Sequence, residues 1–254
     1  MIDKKGFFVV LGVLLLAASA APASDKGVLL DELYEQAQLE RQLNWIKSSM
    51  TLDYSEYTLP DKVLDTVNQV VRVRYSPLFF RVSMMNTLDE ALTVDELLAL
   101  VEWYNSPLGQ KILKLETIAN NPFNAPRIQA YIEERLSRQL PRSSRTALIE
   151  ELMVALDVVE HGTELAATAS VGARRILLEV MPVINEGARR PPQALKAREK
   201  PAIRRTMSER MKSIFFYTYR SLSDQEIRRY LEFARSSAMQ NFQRGQVLAI
   251  GRML

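Results

Sequence analysis

Thr93 and Glu96, three residues apart and directly ahead of an apolar run, define a helix start more tightly than any other feature of this chain. At that spacing the threonine oxygen takes the backbone N–H three residues on, and the glutamate side chain reaches back to the threonine N–H. Leu92 and Leu97 bracket the box as the two members of a hydrophobic staple. Leu97, Val101, Tyr104 and Leu108 then recur at the spacing of one buried helical face, which Trp103 widens. Ser106-Pro107 interrupts that face. A proline there loses the bond to the Trp103 carbonyl, whereas serine followed by proline suits a fresh helix start. The stretch Leu92 to Glu116 therefore reads as two helices meeting at a bend.

The same grammar returns from Leu222 to Val247, at an offset of 130. Leu92, Glu96, Glu102, Ser106 and Gln110 recur as Leu222, Glu226, Glu232, Ser236 and Gln240, with Ser223 in place of Thr93. Pro107 and Gly109 become Ser237 and Met239, which removes the bend signal, so the second helix is expected to run on toward Met253. A surface set by the bend, around Trp103, Tyr104 and Gly109, is then expected once in the chain. Upstream, LLDEL at Leu29 to Leu33 reappears as LIEEL at Leu148 to Leu152, an offset of 119. A chance likeness of amphipathic helices would not produce two matches in the same order. They argue for a duplicated unit of roughly 110 residues, the size of a small domain. The offsets of 130 and 119 place an insertion of 11 residues between the two motifs of the second copy.

Glu96-Leu97, Trp103-Tyr104, Ser106-Pro107, Gly109 and Lys111 together resemble the E-L…F-Y-x-S-P-x-G-x-K signature of domain of unknown function 2059, found in exported bacterial proteins. The resemblance covers about Leu78 to Leu115 well and the corresponding C-terminal region weakly. Trp103 stands where the family usually has phenylalanine, and the second copy lacks the tyrosine, proline, glycine and lysine. The resemblance implies a helical, exported protein. It supplies no agreed activity and no catalytic residues.

The N-terminus points the same way. Lys4 and Lys5 precede an apolar run from Gly6 to Ala18, and small residues lead to Ala21-Pro22-Ala23, the pattern of a secretory signal peptide over residues 1–23. The run is shorter than the ~20 residues of a spanning helix. Cleavage is expected after Ala23, or else after Ala20, releasing a periplasmic protein with no transmembrane segment. The sequence holds no cysteine, which excludes disulfides, zinc–thiolate sites and a lipid-modified N-terminal cysteine. At 254 residues and 47% hydrophobic content it can bury a core without covalent staples.

The remaining pattern is helical throughout. Apolar spacing marks helices over Val28 to Ile46 and from Val63 through Val71, and Ser76-Pro77 opens another through Leu88. Asn120 to Pro126 reads as a loop, followed by a charged helix from Arg127 to Gln139. Helices over Arg145 to Ala169 and Val171 to Glu186 follow, with a kink or break at Pro182. Residues 187–205 hold seven lysines and arginines, one glutamate and three prolines, and read as an exposed loop that houses the insertion. The segment around Ile214 to Tyr219 has strand-like composition, but its place opposite the Phe79 to Leu88 helix decides for helix. The expected fold is all-α, a multi-helix bundle or helical array of two tandem repeats over 24–140 and 141–254.

No catalytic constellation, metal-ligand set or phosphate loop is visible, and no cofactor is expected. His161 is the single histidine; Glu160 and Glu164 beside it make at most a surface metal site, and a surface helical histidine is the plainer reading. Glu102 and Glu232 stand at matching positions, as a glycosidase carboxylate pair would need, although solvated structural glutamates are the commoner case. The candidate partner-binding residues are Trp103, Tyr104 and Gly109 of the signature, and Arg189, Arg190, Arg204 and Arg205 of the basic segment. The basic residues suit an envelope protein or an anionic envelope polymer or lipid. Export argues against nucleic acid despite a net charge of +3. The leading reading is a non-enzymatic envelope binding or scaffold protein. A carrier of a lipid or other hydrophobic molecule, with the Ile214 to Tyr219 aromatics lining a cavity, comes second, and an enzyme third.

Overall fold

The structure is a computed structural model that describes residues 26–41, 43–44, 47, 59–139, 141–181 and 192–253. Among these residues every regular element is helical, and none is long and apolar enough to cross a membrane. In chain order the α-helices are α1 (Lys26–Gln36), α2 (Asp61–Arg74), α3 (Pro77–Ala91), α4 (Val94–Asn105), α5 (Pro107–Ala119), α6 (Ala125–Tyr131), α7 (Ser143–Ala155), α8 (Val158–Val180), α9 (Pro192–Thr218), α10 (Asp224–Ala234) and α11 (Ser237–Arg252). The proposed signal peptide, Arg189 and Arg190 lie outside the described residues.

Local chemistry accounts for the helix starts. Ser76, Thr93, Ser106, Ser223 and Ser236 each adopt an extended conformation and accept the backbone N–H three residues on, at Phe79, Glu96, Gly109, Glu226 and Met239 respectively. Four expected boundaries move. The first helix ends at Gln36, and Gln38 turns the chain with φ 53°. The break between α7 and α8 falls at Leu156-Asp157, where Asp157 takes a left-handed conformation that a short polar side chain tolerates, and the chain stays helical through Ala169 and Val171. Residues 192–205 are the first half of α9 and not a loop. Pro201 removes one backbone donor there, but the helix is held against α8 by ion pairs: Arg174 with Glu199 at 3.1 Å, Lys200 with Glu164, and Arg204 with Glu160 at 3.7 Å.

The fourth boundary is the most informative. The helix opening at Ser223 does not run on to Met253; it stops at Ala234 and restarts at Ser237, with Ser236 as N-cap. A serine that caps the next helix is sufficient to make the elbow without proline. The second elbow therefore matches the first in kind.

Packing interlaces the two halves. α1 lies on α4 as α7 lies on α10, and α1 on α3 as α7 on α9. α3 packs along α11, and α9 packs against α5, so the third helix of each half rests on the fifth helix of the other. Gly245 of α11 allows one of these approaches, because a Cβ there would come within 2.8 Å of Leu88 on α3. Phe80, Met84, Leu88, Leu97, Leu100 and Ile112 of the first half join Ile227, Tyr230, Leu231, Phe242 and Ile250 of the second in one buried cluster. Each such side chain contributes about 1.5–3 kcal/mol by leaving water.

Candidate functional site

The site is built where the two elbows meet. Both capping boxes are complete: Thr93 N–H donates to Glu96 Oε2 at 3.0 Å, and Ser223 N–H donates to Glu226 Oε2 at 2.7 Å. Both staples are buried, with Leu92 and Leu97 at 3% and 0% exposure and Leu222 and Ile227 at 4% and 0%. At the elbows Ser106 Oγ donates to the Trp103 carbonyl at 2.6 Å, and Ser236 Oγ donates to the Phe233 carbonyl at 2.7 Å. Gln110 and Gln240 then return their side-chain amides to the Tyr104 and Ala234 carbonyls. Every one of these pairs is separated by 130 residues.

Contacts between the halves are reciprocal in the same register. Lys111 Nζ reaches Glu226 Oε1 at 2.7 Å, and Asn241 Nδ2 donates to Glu96 Oε1 at 2.7 Å. Lys111 and Asn241 stand 130 residues apart, as do Glu96 and Glu226. Trp103 stacks on its own equivalent, Phe233, with ring centroids 4.2 Å apart and planes 9° from parallel. The Lys111 hydrogen bond, then the Ser223 N–H, hold the Glu226 carboxyl down at about 2. The Thr93 N–H first, and Asn241 with it, lower that of Glu96.

Above this stack lies an open cleft of about 720 Å³. Ala99, Glu102, Trp103, Ser106, Pro107, Leu108 and Lys111 line it from the first half, and Glu226, Arg229, Phe233 and Ser236 from the second. Three equivalent pairs are among these: Ala99 with Arg229, Trp103 with Phe233, and Ser106 with Ser236. Local chemistry uses most of the polar groups. Both serines are engaged at their elbows, and Lys111 and Glu226 bind each other. The apolar surface of Trp103, Pro107, Leu108 and Phe233, flanked by Arg229 and Glu102, is what a ligand would meet.

A half-buried carboxyl lies between the halves. Tyr219 and Tyr230 both donate to Glu116 Oε1, at 2.8 and 2.9 Å. Burial pushes the Glu116 carboxyl above the usual range, while the two tyrosine hydrogen bonds pull it back in part. Burial, then the nearby Glu116 charge, raises both tyrosines well above 10.0. Tyr230 also stacks on Trp103 at 5.8 Å, which ties this half-buried carboxyl to the cleft floor.

Of the candidate partner-binding residues that the structure describes, Trp103 lines the cleft and the others do not. Tyr104 turns into the core, edge-on to Phe242 at 6.1 Å. Gly109 is buried in the elbow, where a Cβ would lie 2.0 Å from the Trp103 carbonyl oxygen. Arg204 and Arg205 are exposed on α9, away from the cleft-lining set. Glu160 and Glu164 face Lys200 and Arg204, and His161 Nδ1 lies 3.2 Å from the Leu156 carbonyl. Among the described residues no group of three or more His, Cys, Asp or Glu side chains is placed to hold a metal. Glu102 lines the cleft and Glu232 does not. Phe215, Tyr217 and Tyr219 are buried, packing on one another or on Tyr131 and Tyr230, and do not line the cleft.

Arg229, Phe233, Glu226 and Glu116 were not singled out as site residues. Phe233 and Glu226 lie at matched positions of the repeated stretch, and Glu116 sits four residues beyond Ile112 on the buried stripe of α5. A carboxylate on an apolar stripe is the signal that marks it.

The architecture defines an all-helical protein with an open cleft between two interlaced halves. Its first half carries a known family segment: residues 80–138 match the family described as uncharacterized protein conserved in bacteria, domain of unknown function 2059. No curated protein and no solved structure gives a significant match.

Proposed function

We propose that this chain is an exported, non-enzymatic binding protein of the bacterial envelope, and that the cleft over Trp103 and Phe233 receives its partner. The observation that carries the reading is the convergence of equivalent positions from both halves on one open, largely apolar cleft. We attribute that convergence to duplication of a unit of roughly 110 residues. A cleft astride the relation between two copies is necessarily single, even though both copies have the elbow. Its open form favours a binder of another macromolecule over a carrier, since a carrier needs an enclosure and the Ile214 to Tyr219 aromatics are committed to packing. The partner reading rests on Trp103, Pro107, Leu108 and Phe233 as an apolar platform, with Arg229 and Glu102 as orienting charges. The signal peptide pattern supports export and periplasmic location.

The test is native mass spectrometry of the mature protein purified from its own envelope, beside an Ala99→Trp variant that fills the cleft from an exposed position. The parent is expected to carry a bound partner and the variant to lose it. An equal adduct on both proteins would remove the cleft from the account.

A further inference from the structure

Helix α9 contributes no residue to the cleft, yet the net positive charge of the chain is concentrated on it. Residues 192–218 carry seven lysines and arginines against Glu199 and Glu209, a net +5 in a chain whose total is +3, so everything outside α9 is net −2. Carboxylates take up only part of this charge. Lys200 pairs with Glu160 and Glu164 of α8, Arg204 with Glu160, and Lys212 with Glu150 of α7. Glu199 is held by Arg174 and by the Ser170 hydroxyl. Arg198, Arg205 and Arg210 are left over: all three are exposed, and among the described residues none of them has an ion pair or a hydrogen bond. Arg198 and Arg205 stand seven residues, two helical turns, apart on one ridge, with Arg210 at its flank, so the three span about 18 Å along the helix. The exposed surface among them is Ala197, Pro201, Ala202, Thr206 and Ser208, small side chains that leave the guanidinium groups standing clear.

Resting on the reading of the chain as an envelope protein, we propose that the outward face of α9 docks on a phospholipid membrane of negative surface charge, with Arg198, Arg205 and Arg210 against the headgroup phosphates. Charge complementarity selects the class of partner, since guanidinium groups suit phosphate oxygens and stay charged at every physiological pH. Their layout selects within that class. A single phosphate or small anion needs donors that converge on it, whereas these three are spread along the convex outer surface of a helix. They match an extended array of phosphates. An exported protein meets such an array at a membrane surface and not in nucleic acid. Basic side chains are drawn to a negative membrane surface, and the attraction fades within a Debye length. No large apolar side chain is exposed among the described residues of α9, so the contact is electrostatic and reversible. It also leaves the cleft open to its own partner.

The test is co-sedimentation of the purified mature chain, residues 24–254, with phosphatidylcholine vesicles that contain phosphatidylglycerol and with vesicles of phosphatidylcholine alone, at low and at high salt. Residues 1–23 are left out because their apolar run would bind lipid by itself. The parent is expected to bind only the phosphatidylglycerol vesicles and to leave them as salt is raised. Arg198→Gln, Arg205→Gln and Arg210→Gln together should weaken binding on the order of 100-fold, roughly fivefold for each arginine. Lysine at the same three positions should keep the binding, because a surface of distributed phosphates reads charge more than the guanidinium fork. Removing three exposed cations elsewhere, by Lys62→Gln, Arg72→Gln and Lys114→Gln, should cost far less. Equal binding to both vesicle types, equal losses in the two glutamine triples, or a parent that sediments with neither vesicle, whether or not it binds duplex DNA, would overturn the proposal. Should the α9 glutamine triple fail to fold, the salt response and the lysine triple decide, since salt-independent binding, or binding lost with lysine, contradicts a surface held by charge. The Ala99→Trp adduct comparison fails separately: no vesicle binding with an intact adduct difference sinks the membrane face alone, and the reverse sinks the cleft alone.

Discussion

The elbow at Ser106 and the elbow at Ser236 reach one geometry by two chemistries. In the first, Pro107 removes a donor and Gly109 lets the new helix press against the Trp103 carbonyl, so close that a Cβ would stand 2.0 Å away. In the second, Ser237 and Met239 occupy those places, and Met239 is buried at 6% exposure. What the two share is the serine, extended in both cases, donating backward to the carbonyl three residues before and accepting forward from the N–H three residues after. The serine makes the elbow; proline and glycine determine how tight it is. A proline-based reading of the chain finds only the first.

The sharpest way to break this comparison is to exchange the chemistries. Gly109→Ala should be the most damaging single change, costing on the order of 2 kcal/mol as overpacking against backbone that cannot yield. Met239→Leu at the equivalent position should cost under about 1.5 kcal/mol. Denaturant midpoints measure both, and equal costs would mean that the elbows do not differ as described. Ser237→Pro is the complementary exchange. At the first position of a helix whose N-cap is already extended, proline should change stability by no more than about 1 kcal/mol, whereas inside a continuous helix it would cost about 3 kcal/mol. Thermal or chemical unfolding of that variant therefore reports whether the second elbow exists in solution.

Smaller effects test the shared part. Ser106→Ala and Ser236→Ala should each cost about 1 kcal/mol through a lost cap, as should Thr93→Ala and Ser223→Ala. A large cost at Ser106 with none at Ser236 would separate the two halves. Least costly should be Lys111→Gln, at less than about 1 kcal/mol for a partly exposed pair. Its pH signature is more useful than its size. The folded Glu226 carboxyl is held at about 2 against an ordinary 4.5, so the stabilisation from Lys111 is complete above the higher value and disappears as pH falls through the lower. Parent and variant should accordingly converge in stability as pH falls toward 2 and diverge above 4.5.

Much of the fold was legible because it is written in short-range chemistry. A capping box occupies four consecutive residues, and both boxes, both staples and the Ser76 and Ser106 starts stand where the spacing puts them. The errors arose where local signals compete with packing. Residues 192–205 look like loop by charge and proline content, yet Glu160, Glu164 and Glu199 offer partners that only the pairing of α8 with α9 brings within reach. The continuity of α8 through Ala169 and Val171 follows from tertiary burial of small residues, which propensity does not register. Of the site, Trp103 was visible as an aromatic in a signature. Its meeting with Phe233, the closing of Lys111 onto Glu226 and the hydrogen bonds from two tyrosines of the other half to Glu116 depend on how the halves interlace, which no linear spacing encodes.

The central claim is that the halves meet reciprocally about Trp103 and Phe233, and paired cross-linking tests it most directly. The chain has no cysteine, so Lys111→Cys with Glu226→Cys, and Glu96→Cys with Asn241→Cys, can each be installed cleanly and treated with a short bis-maleimide. Both pairs should cross-link within one chain, at comparable rates, in protein that keeps its parent circular dichroism. A link at the 111–226 pair with none at the 96–241 pair would contradict the reciprocal arrangement.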